Sequence, residues 1–161
     1  NVGKSSWLNQ LTHAKSKVAN YPFTTLEANL GAYYELILAD IPGLIEGSSS
    51  GRGLGIKFLR HIERTHILFH LISAESADPL KDYQTIRQEL GAWNVELLKK
   101  PERLFLTKSD LTTPAELNKK LAALKKIDPS VIGISINDPK SLKRVEKIFN
   151  NIKNDGIISA D

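Results

Sequence analysis

The stretch from Leu36 to Thr65 constrains the fold of this chain more than any other part of the sequence. It begins with an apolar run that ends at Asp40, and Pro42 and Gly43 then favour a turn. A Gly/Ser-rich segment follows, and after it comes an amphipathic segment whose apolar side consists of Phe58, Leu59 and Ile62. This pattern predicts a buried strand with one carboxylate at its carboxyl end, then a loop and a helix.

The carboxylate of Asp40 has two interpretations. Proteins that respond to a nucleotide's terminal phosphate hold Mg²⁺ with such a residue, and the loop after it senses the phosphate. Alternatively, the Asp-x-Pro-Gly sequence is only a turn between a strand and a helix. Motifs elsewhere in the chain favour the first interpretation.

Apolar and amphipathic segments alternate along the whole chain. The predicted strands span residues 30–34, 36–39, 66–73, 103–107 and 131–136. A first helix is predicted to end near residue 12, and two more are predicted over 79–98 and 114–126. A last helix is predicted from Leu142, Val145, Ile148 and Ile152, which lie on one stripe. Residues 34–35 lack the usual hairpin-turn residues, so either that turn is unusual or residues are absent there. The alternation predicts an α/β fold with a mostly parallel sheet and helices on both faces.

Ligands of such sheets bind at the carboxyl ends of the strands. Asp40, the segment from Thr107 to Asp110, and Ser135 all fall at predicted strand ends. His70 lies inside a continuous apolar run and is interpreted as a core histidine rather than a catalytic one.

The first six residues, Asn1-Val2-Gly3-Lys4-Ser5-Ser6, match the second half of a phosphate-binding loop, Gly-x-x-x-x-Gly-Lys-Ser/Thr. In that motif Lys4 reaches the β- and γ-phosphates and Ser5 ligates Mg²⁺. The first glycine and the preceding strand would lie before residue 1, so the domain is expected to be incomplete at its N-terminus.

Three segments together resemble the Obg family of GTPases. They are the phosphate loop, a switch I segment (Tyr21-Pro-Phe-Thr-Thr-Leu-Glu-Ala-Asn-Leu-Gly31), and a switch II segment that begins Asp40-Ile-Pro-Gly-Leu-Ile-Glu-Gly. The resemblance covers nearly the whole chain. It implies a P-loop NTPase-type fold, that is, a Ras-like G domain over residues 1–161 that lacks its first strand.

The resemblance also implies site roles. The implied metal ligands are Ser5, Thr25 and Asp40, with Thr24 as the neighbouring candidate, and the implied catalytic residues are Lys4, Thr25 and Gly43. Residues Asn1 to Ser6 would surround the phosphates of GTP or GDP. The alternative for the switch I segment is a solvated loop whose threonines only cap turns.

Thr107-Lys-Ser-Asp110 stands where GTPases carry Asn-Lys-x-Asp. The Asp110 carboxylate would accept from N1–H and the 2-amino group of guanine, and the stem of Lys108 would lie along the base. Thr107 replaces the Asn that in the family ties the base-reading loop to the phosphate loop, so its loss is expected to affect the affinity for the nucleotide more than the specificity for the base. After Ser135, the backbone N–H of Ile136 would contact guanine O6.

A glutamine that orients the attacking water is expected just after Asp-x-Pro-Gly, but Leu44 and Ile45 stand there. A leucine cannot orient water, so slow hydrolysis is expected. Asn1 occupies the position where some related GTPases hold a monovalent cation, so K⁺ is a candidate cofactor beside Mg²⁺. Alternatively, Asn1 only shapes the turn.

The family is associated with large-ribosomal-subunit assembly and stress control, which implies ribosomal RNA and proteins as partners. The basic residues Lys57, Arg60 and Arg64 form either a solvated face or a contact with RNA phosphates. The chain has no cysteine, no apolar run of membrane-spanning length and no visible signal peptide, so a cytoplasmic protein without a membrane partner is expected, with a monomer favoured.

Two rival functions remain. A P-loop kinase of small substrates would share Gly3, Lys4 and Ser5 but needs an arginine-rich lid, and no such segment is visible in the sequence. Asp110 would also have no role in a kinase. A catalytically degenerate G domain that serves as a scaffold would keep the fold without hydrolysis, and Thr107 and Leu44 are the residues that favour it.

Overall fold

The computed structural model describes residues 2–13, 30–33, 36–39 and 65–155. Strands and helices alternate through the described part of the chain. The elements are α1 (Lys4–His13), β1 (Leu30–Tyr33), β2 (Leu36–Ala39), β3 (Leu68–Ser73), α2 (Pro79–Trp93), β4 (Glu102–Thr107), α3 (Pro114–Leu124), β5 (Ile132–Gly133) and α4 (Pro139–Asn154). Two short 3-10 helices, Val95–Lys99 and Ser109–Leu111, precede and follow β4.

The strands of the described residues form two sheets. β3, β4 and β5 pair in parallel in that order, with Leu68 opposite Glu102 and Ser73 opposite Thr107. β1 and β2 form an antiparallel pair in which Tyr33 lies opposite Leu36, so residues 34–35 alone connect them; these two residues lie outside the described part. The prediction of a mostly parallel α/β fold is confirmed.

β4 is the centre of the core, because its side chains are buried on both faces. Leu104 and Leu106 pack on one face with Ile72 of β3 and Leu124 of α3. On the other face, a second cluster places Phe105 against residues of α1, β1 and α4, namely Trp7, Leu11, Tyr33, Val145 and Phe149. Helices therefore cover both faces of the sheet, as parallel strands require.

Three helices begin with the same local chemistry. Asp78, Thr113 and Asp138 each place a side-chain oxygen on a backbone N–H of the first turn, and a proline follows each of them. This combination favours a helix start, because the side chain satisfies a helix N–H and the proline has the helical φ already.

Two predicted elements end earlier than expected. The helix predicted over 79–98 stops at Trp93, because Asn94 adopts extended backbone and its side chain caps the following 3-10 helix by accepting from Glu96 N. The strand predicted over 131–136 is shorter, Ile132–Gly133, although the Ile134 N–H still donates to the Leu106 carbonyl of β4 at 2.9 Å. At the next residue the Ser135 N–H donates instead to Ser141 Oγ, 3.1 Å away at the start of α4.

His70 is half-buried and packs against Tyr83, which belongs to the core. Its ring lies 5.3 Å from that of Tyr83, centroid to centroid, on the face of β3 that meets α2. The pKa of His70 is lowered from 6.5 to about 4, mainly by burial; the nearby Arg87 also lowers it, and Asp82 raises it by a smaller amount. The Tyr83 hydroxyl donates to Glu102, which also pairs with Arg87 at 3.2 Å.

Acid is therefore expected to destabilise the fold through His70. Because its pKa is lower in the folded protein, the unfolded chain binds more protons between about pH 4 and pH 6.5, and stability rises with pH through that window. The free energy of unfolding should fall by about 1–2 kcal/mol from about pH 7.5 to about pH 5. Chemical denaturation at several pH values across this range measures the free energy of unfolding. His70→Phe should flatten the profile, whereas His66→Gln, at an exposed histidine, should not; an unflattened profile in His70→Phe would contradict the assignment.

Candidate functional site

The N-terminus of α1 has the backbone of an anion-binding turn. Gly3 has a backbone φ of +89°, which residues other than glycine rarely adopt. Helix α1 begins at the next residue. The Trp7 N–H donates to the Gly3 carbonyl at 3.0 Å, so Gly3 connects directly to the helix. The first turn of α1 contains no acidic residue. A helix N-terminus of this kind favours phosphate, and Lys4 adds a positive charge there.

The body of α1 fixes this turn against the core. Trp7, Leu8 and Leu11 are buried, whereas Ser5 and Ser6 are exposed at the start of the helix. The buried Thr12 hydroxyl donates to the Leu8 carbonyl at 2.8 Å. The serine hydroxyls therefore lie on the solvent side of a rigidly packed helix.

Thr107 joins the start of the chain to the end of β4. Its Oγ1 lies 2.7 Å from the Val2 carbonyl oxygen and 3.2 Å from the Ile72 carbonyl oxygen, and the residue is only 1% exposed. One hydroxyl has one proton, so the shorter contact is the stronger hydrogen bond. This finding corrects the expectation that replacing Asn by Thr removes the connection, because the threonine hydroxyl makes it.

Lys108 follows in a strained backbone conformation. Its φ of 56° is the only positive value at a non-glycine residue within the described ranges. Such strain persists only where surrounding contacts hold it, and it occurs often at functional sites. The Lys108 ammonium pairs with the Glu75 carboxylate, which belongs to the loop after β3. The stem of Lys108 is therefore held over the carboxyl end of the sheet.

Asp110 lies on the short 3-10 helix Ser109–Leu111 and is exposed. The Asn137 side-chain amide donates to Asp110 Oδ2 at 2.9 Å. Hydrogen bonds from Ser135 and then Asn137 hold the pKa of Asp110 below its usual value. The carboxylate is thus ionised at neutral pH and can accept from the donors of a ligand.

Ser135 and Ile136 form a turn between β5 and α4. Ser135 is 2% exposed, and its Oγ accepts from the Asn137 N–H at 3.0 Å. Ile136 is 43% exposed at the same end of the sheet. The Ser109 N–H donates to the Ile134 carbonyl at 3.1 Å, which joins this turn to the segment that carries Asp110.

The structure thus brings together the predicted site residues that it describes. Thr107 contacts Val2, next to Gly3 and Lys4, and the Asp110 segment contacts the turn of Ser135 and Ile136. The predicted site residues Asn1, Thr25, Asp40 and Gly43 lie outside the described residues. The contact between Asn137 and Asp110 was not predicted from the sequence, although Asn137 directly follows Ser135-Ile136 in the predicted motif.

The described side chains fit a nucleotide with Mg²⁺. The helix N-terminus and Lys4 suit phosphates, the Ser5 hydroxyl suits a hard cation, and the Asp110 carboxylate suits a base that offers two donors. Within residues 2–13, 30–33, 36–39 and 65–155, no three His, Cys, Asp or Glu side chains are grouped to hold a metal ion. In the same part of the chain, no helix is long and apolar enough to cross a membrane.

Comparisons with known proteins point the same way. A family model described as "50S ribosome-binding GTPase" matches residues 1–108. GTPase Obg of Rickettsia rickettsii (strain Sheila Smith) is 44% identical over an alignment 160 residues long, which covers 96% of this chain and 48% of that protein. GTPase Obg of Rickettsia massiliae (strain Mtu5) matches with the same identity and coverage, and that of Rickettsia akari (strain Hartford) is 44% identical over 153 residues. The chain spans about half the length of these curated relatives.

Proposed function

Because the chain belongs to the 50S ribosome-binding GTPase family, with a G domain of the Obg type, we propose that it binds GTP with Mg²⁺ and hydrolyses it slowly to GDP and phosphate. The observation that carries this proposal is the hydrogen bond from Thr107 Oγ1 to the Val2 carbonyl. It joins a phosphate-type helix start to the loop that carries Lys108 and Asp110. One nucleotide can then contact both at once.

The phosphates lie at the start of α1 in this proposal. The backbone of Val2, Gly3 and Ser6 surrounds them, and Lys4 offsets the charge that develops between the β- and γ-phosphates. Ser5 ligates the Mg²⁺. The chemistry that Mg²⁺ supplies is charge neutralisation on the phosphate oxygens.

The proposal assigns three further roles to residues outside the described part of the chain. Thr25 is a metal ligand that closes over the γ-phosphate, Asp40 holds the Mg²⁺ directly or through water, and Gly43 donates its N–H to the γ-phosphate. Leu44 cannot orient water, which supports slow hydrolysis.

Asn1 is proposed to hold a K⁺ ion beside the phosphates, where the cation would offset the developing charge. Hydrolysis compared in KCl and in NaCl at equal ionic strength tests this role. A rate that does not depend on the cation would exclude it.

Guanine is selected at the other end of the site. Asp110 accepts from N1–H and the 2-amino group, Lys108 lies along the base, and the N–H of Ile136 donates to O6, with Ser135 holding that turn. Adenine offers no such donor pair, so the acceptor positions of Asp110 that face the base would receive no hydrogen bond from it.

The proposal extends to a switch that acts on the large ribosomal subunit in the cytoplasm, as a monomer. It rests on the family and on the switch-like segments of the sequence, where the γ-phosphate would order the contact surface. Co-sedimentation with purified 50S subunits tests it. Binding should be stronger with a non-hydrolysable GTP analogue than with GDP, and equal binding in both states would contradict the switch.

Nucleotide selectivity tests the proposed function itself. Titration of the full-length protein with GDP, GTP and ATP, with Mg²⁺ and with EDTA, should show tight guanine binding that weakens when Mg²⁺ is removed. Equal binding of ATP and GTP would contradict the proposal. Selective GTP binding without any phosphate release would favour the alternative, a degenerate G domain that serves as a scaffold.

Thr107→Val should weaken GDP binding about tenfold, or about 1.4 kcal/mol, because it removes the hydroxyl that joins β4 to Val2. Calorimetric titration measures the change. Thr107→Ser keeps the hydroxyl, and Thr107→Asn restores the amide that is usual in the family, so both should retain affinity. Wild-type affinity in Thr107→Val would show that the hydrogen bond does not support the site.

A further inference from the structure

Asn137 makes a direct contact with the proposed base-reading carboxylate. Its Nδ2 donates to Asp110 Oδ2 at 2.9 Å, although the two residues are 27 positions apart in the sequence. Both residues are exposed, so the contact is not a consequence of core packing. It lies at the carboxyl end of the sheet, where a ligand would meet it.

Asn137 is itself held by a different element from the one that carries Asp110. Its backbone N–H donates to Ser135 Oγ at 3.0 Å, and Ser135 N–H donates to Ser141 Oγ at 3.1 Å. Ser141 Oγ in turn donates to Asp138 Oδ2 at 2.9 Å, at the start of α4. The backbone of Asn137 is therefore connected through Ser135 to the start of α4, whereas Asp110 belongs to the 3-10 helix after β4.

The chemistry of a carboxylate allows this contact and a base at the same time. A carboxylate has about four acceptor positions, two on each oxygen. Guanine would use one position on each oxygen, through N1–H and the 2-amino group, so Oδ2 keeps a second position for the asparagine amide. The terminal torsion of an aspartate is broad, and an added donor narrows its range.

We propose that Asn137 is a positioning residue for base selection, which holds the plane of the Asp110 carboxylate so that both oxygens meet guanine. This inference rests on the proposed function. The hydrogen bond from the guanine 2-amino group depends most on the orientation of that plane. The hydrogen bond from N1–H depends on it less, because a rotated carboxylate can still accept from N1–H with one oxygen. Asn137 thus contributes mainly to the discrimination between guanine and hypoxanthine, the base that lacks the 2-amino group.

Binding of GDP and IDP to the full-length protein tests this role. Asn137→Ala should weaken GDP binding about tenfold and IDP binding much less, so that the ratio of the two affinities falls about fivefold. Asn118→Ala, which removes an exposed asparagine on α3, is the matched control and should leave the ratio unchanged. Equal thermal unfolding midpoints would show that both variants fold.

A second variant adds a charge. Asn137→Asp places a carboxylate beside Asp110 in place of the amide donor, and like charges at this distance disfavour ionisation of both. GDP binding should then weaken more at pH 8 than at pH 5, whereas the wild type changes less. This pH profile separates positioning from a general loss of structure.

Two outcomes would overturn the inference. An unchanged ratio of GDP to IDP affinity in Asn137→Ala would show that Asn137 does not position the carboxylate. Tighter GDP binding in that variant would show that the amide occupies the place of the base. A wild-type protein that binds GDP, IDP and ADP equally would instead contradict the proposed function, so the two failures are distinguishable.

Discussion

Asp110→Asn is expected to lower the affinity for GTP by about 2–4 kcal/mol and to move the preference toward xanthine nucleotides. In the proposed site, the wild-type carboxylate accepts from N1–H and the 2-amino group of guanine. An amide offers a donor in place of one acceptor, which opposes the 2-amino group but suits the 2-oxo group of xanthine. Because hydrogen bonds from Ser135 and Asn137 lower the pKa of Asp110, the wild-type carboxylate should keep its guanine preference down to mildly acidic pH.

Competition between GTP and XTP for the variant measures this change. Asp82→Asn is the matched control, because it makes the same substitution at an exposed position in the first turn of α2. Unchanged GTP affinity in Asp110→Asn would remove Asp110 from the base site. A loss of affinity for every nucleotide, without a gain for xanthine, would indicate a structural role instead.

Lys4→Ala is expected to slow single-turnover GTP hydrolysis by about 100- to 1000-fold. Lys4 is the first residue of α1, directly after Gly3, and in the proposed site its ammonium contacts the same phosphates as the helix N-terminus. The charge on the oxygen between the β- and γ-phosphates grows in the transition state, and a fixed cation there stabilises that state more than the ground state. GTP affinity should fall as well, because the ground state also loses a positive charge.

The control for this prediction is Lys147→Ala, which removes an exposed lysine from α4 and should change neither rate nor affinity. Lys4→Arg should restore part of the affinity and little of the rate, because a planar guanidinium has a different geometry from an ammonium. A Lys4→Ala protein that hydrolyses GTP at the wild-type rate would show that the start of α1 is not the phosphate site.

Local sequence patterns predicted the elements that local chemistry determines. The apolar run Arg103 to Thr107 predicted β4 because a strand buried on both faces has no polar alternation, and only Glu102 was missed. The break at Asn94 was not predicted, because the helical spacing continues through it. An asparagine that leaves one helix and caps the next is visible only when its own backbone is known.

The candidate site was predictable as a set of residues but not as a set of contacts. The motif positions of Lys4, Ser5 and Asp110 follow from the sequence, since each motif is local. The Thr107 contact with Val2 spans 105 positions, and the sequence suggested instead that this connection was lost. A hydrogen bond between distant segments forms only when donor and acceptor are placed to within a few tenths of an ångström of the right distance. The spacing of residues in a sequence does not give such positions.

Phosphate release in a single turnover tests the central claim most directly. Full-length protein in excess over nucleotide is mixed with GTP or with ATP, with Mg²⁺ or with a chelator, and inorganic phosphate is followed over time. The account predicts slow phosphate release from GTP with Mg²⁺, little from ATP, and none once the metal is chelated. Release from ATP as fast as from GTP, or release from GTP that persists without Mg²⁺, would contradict it.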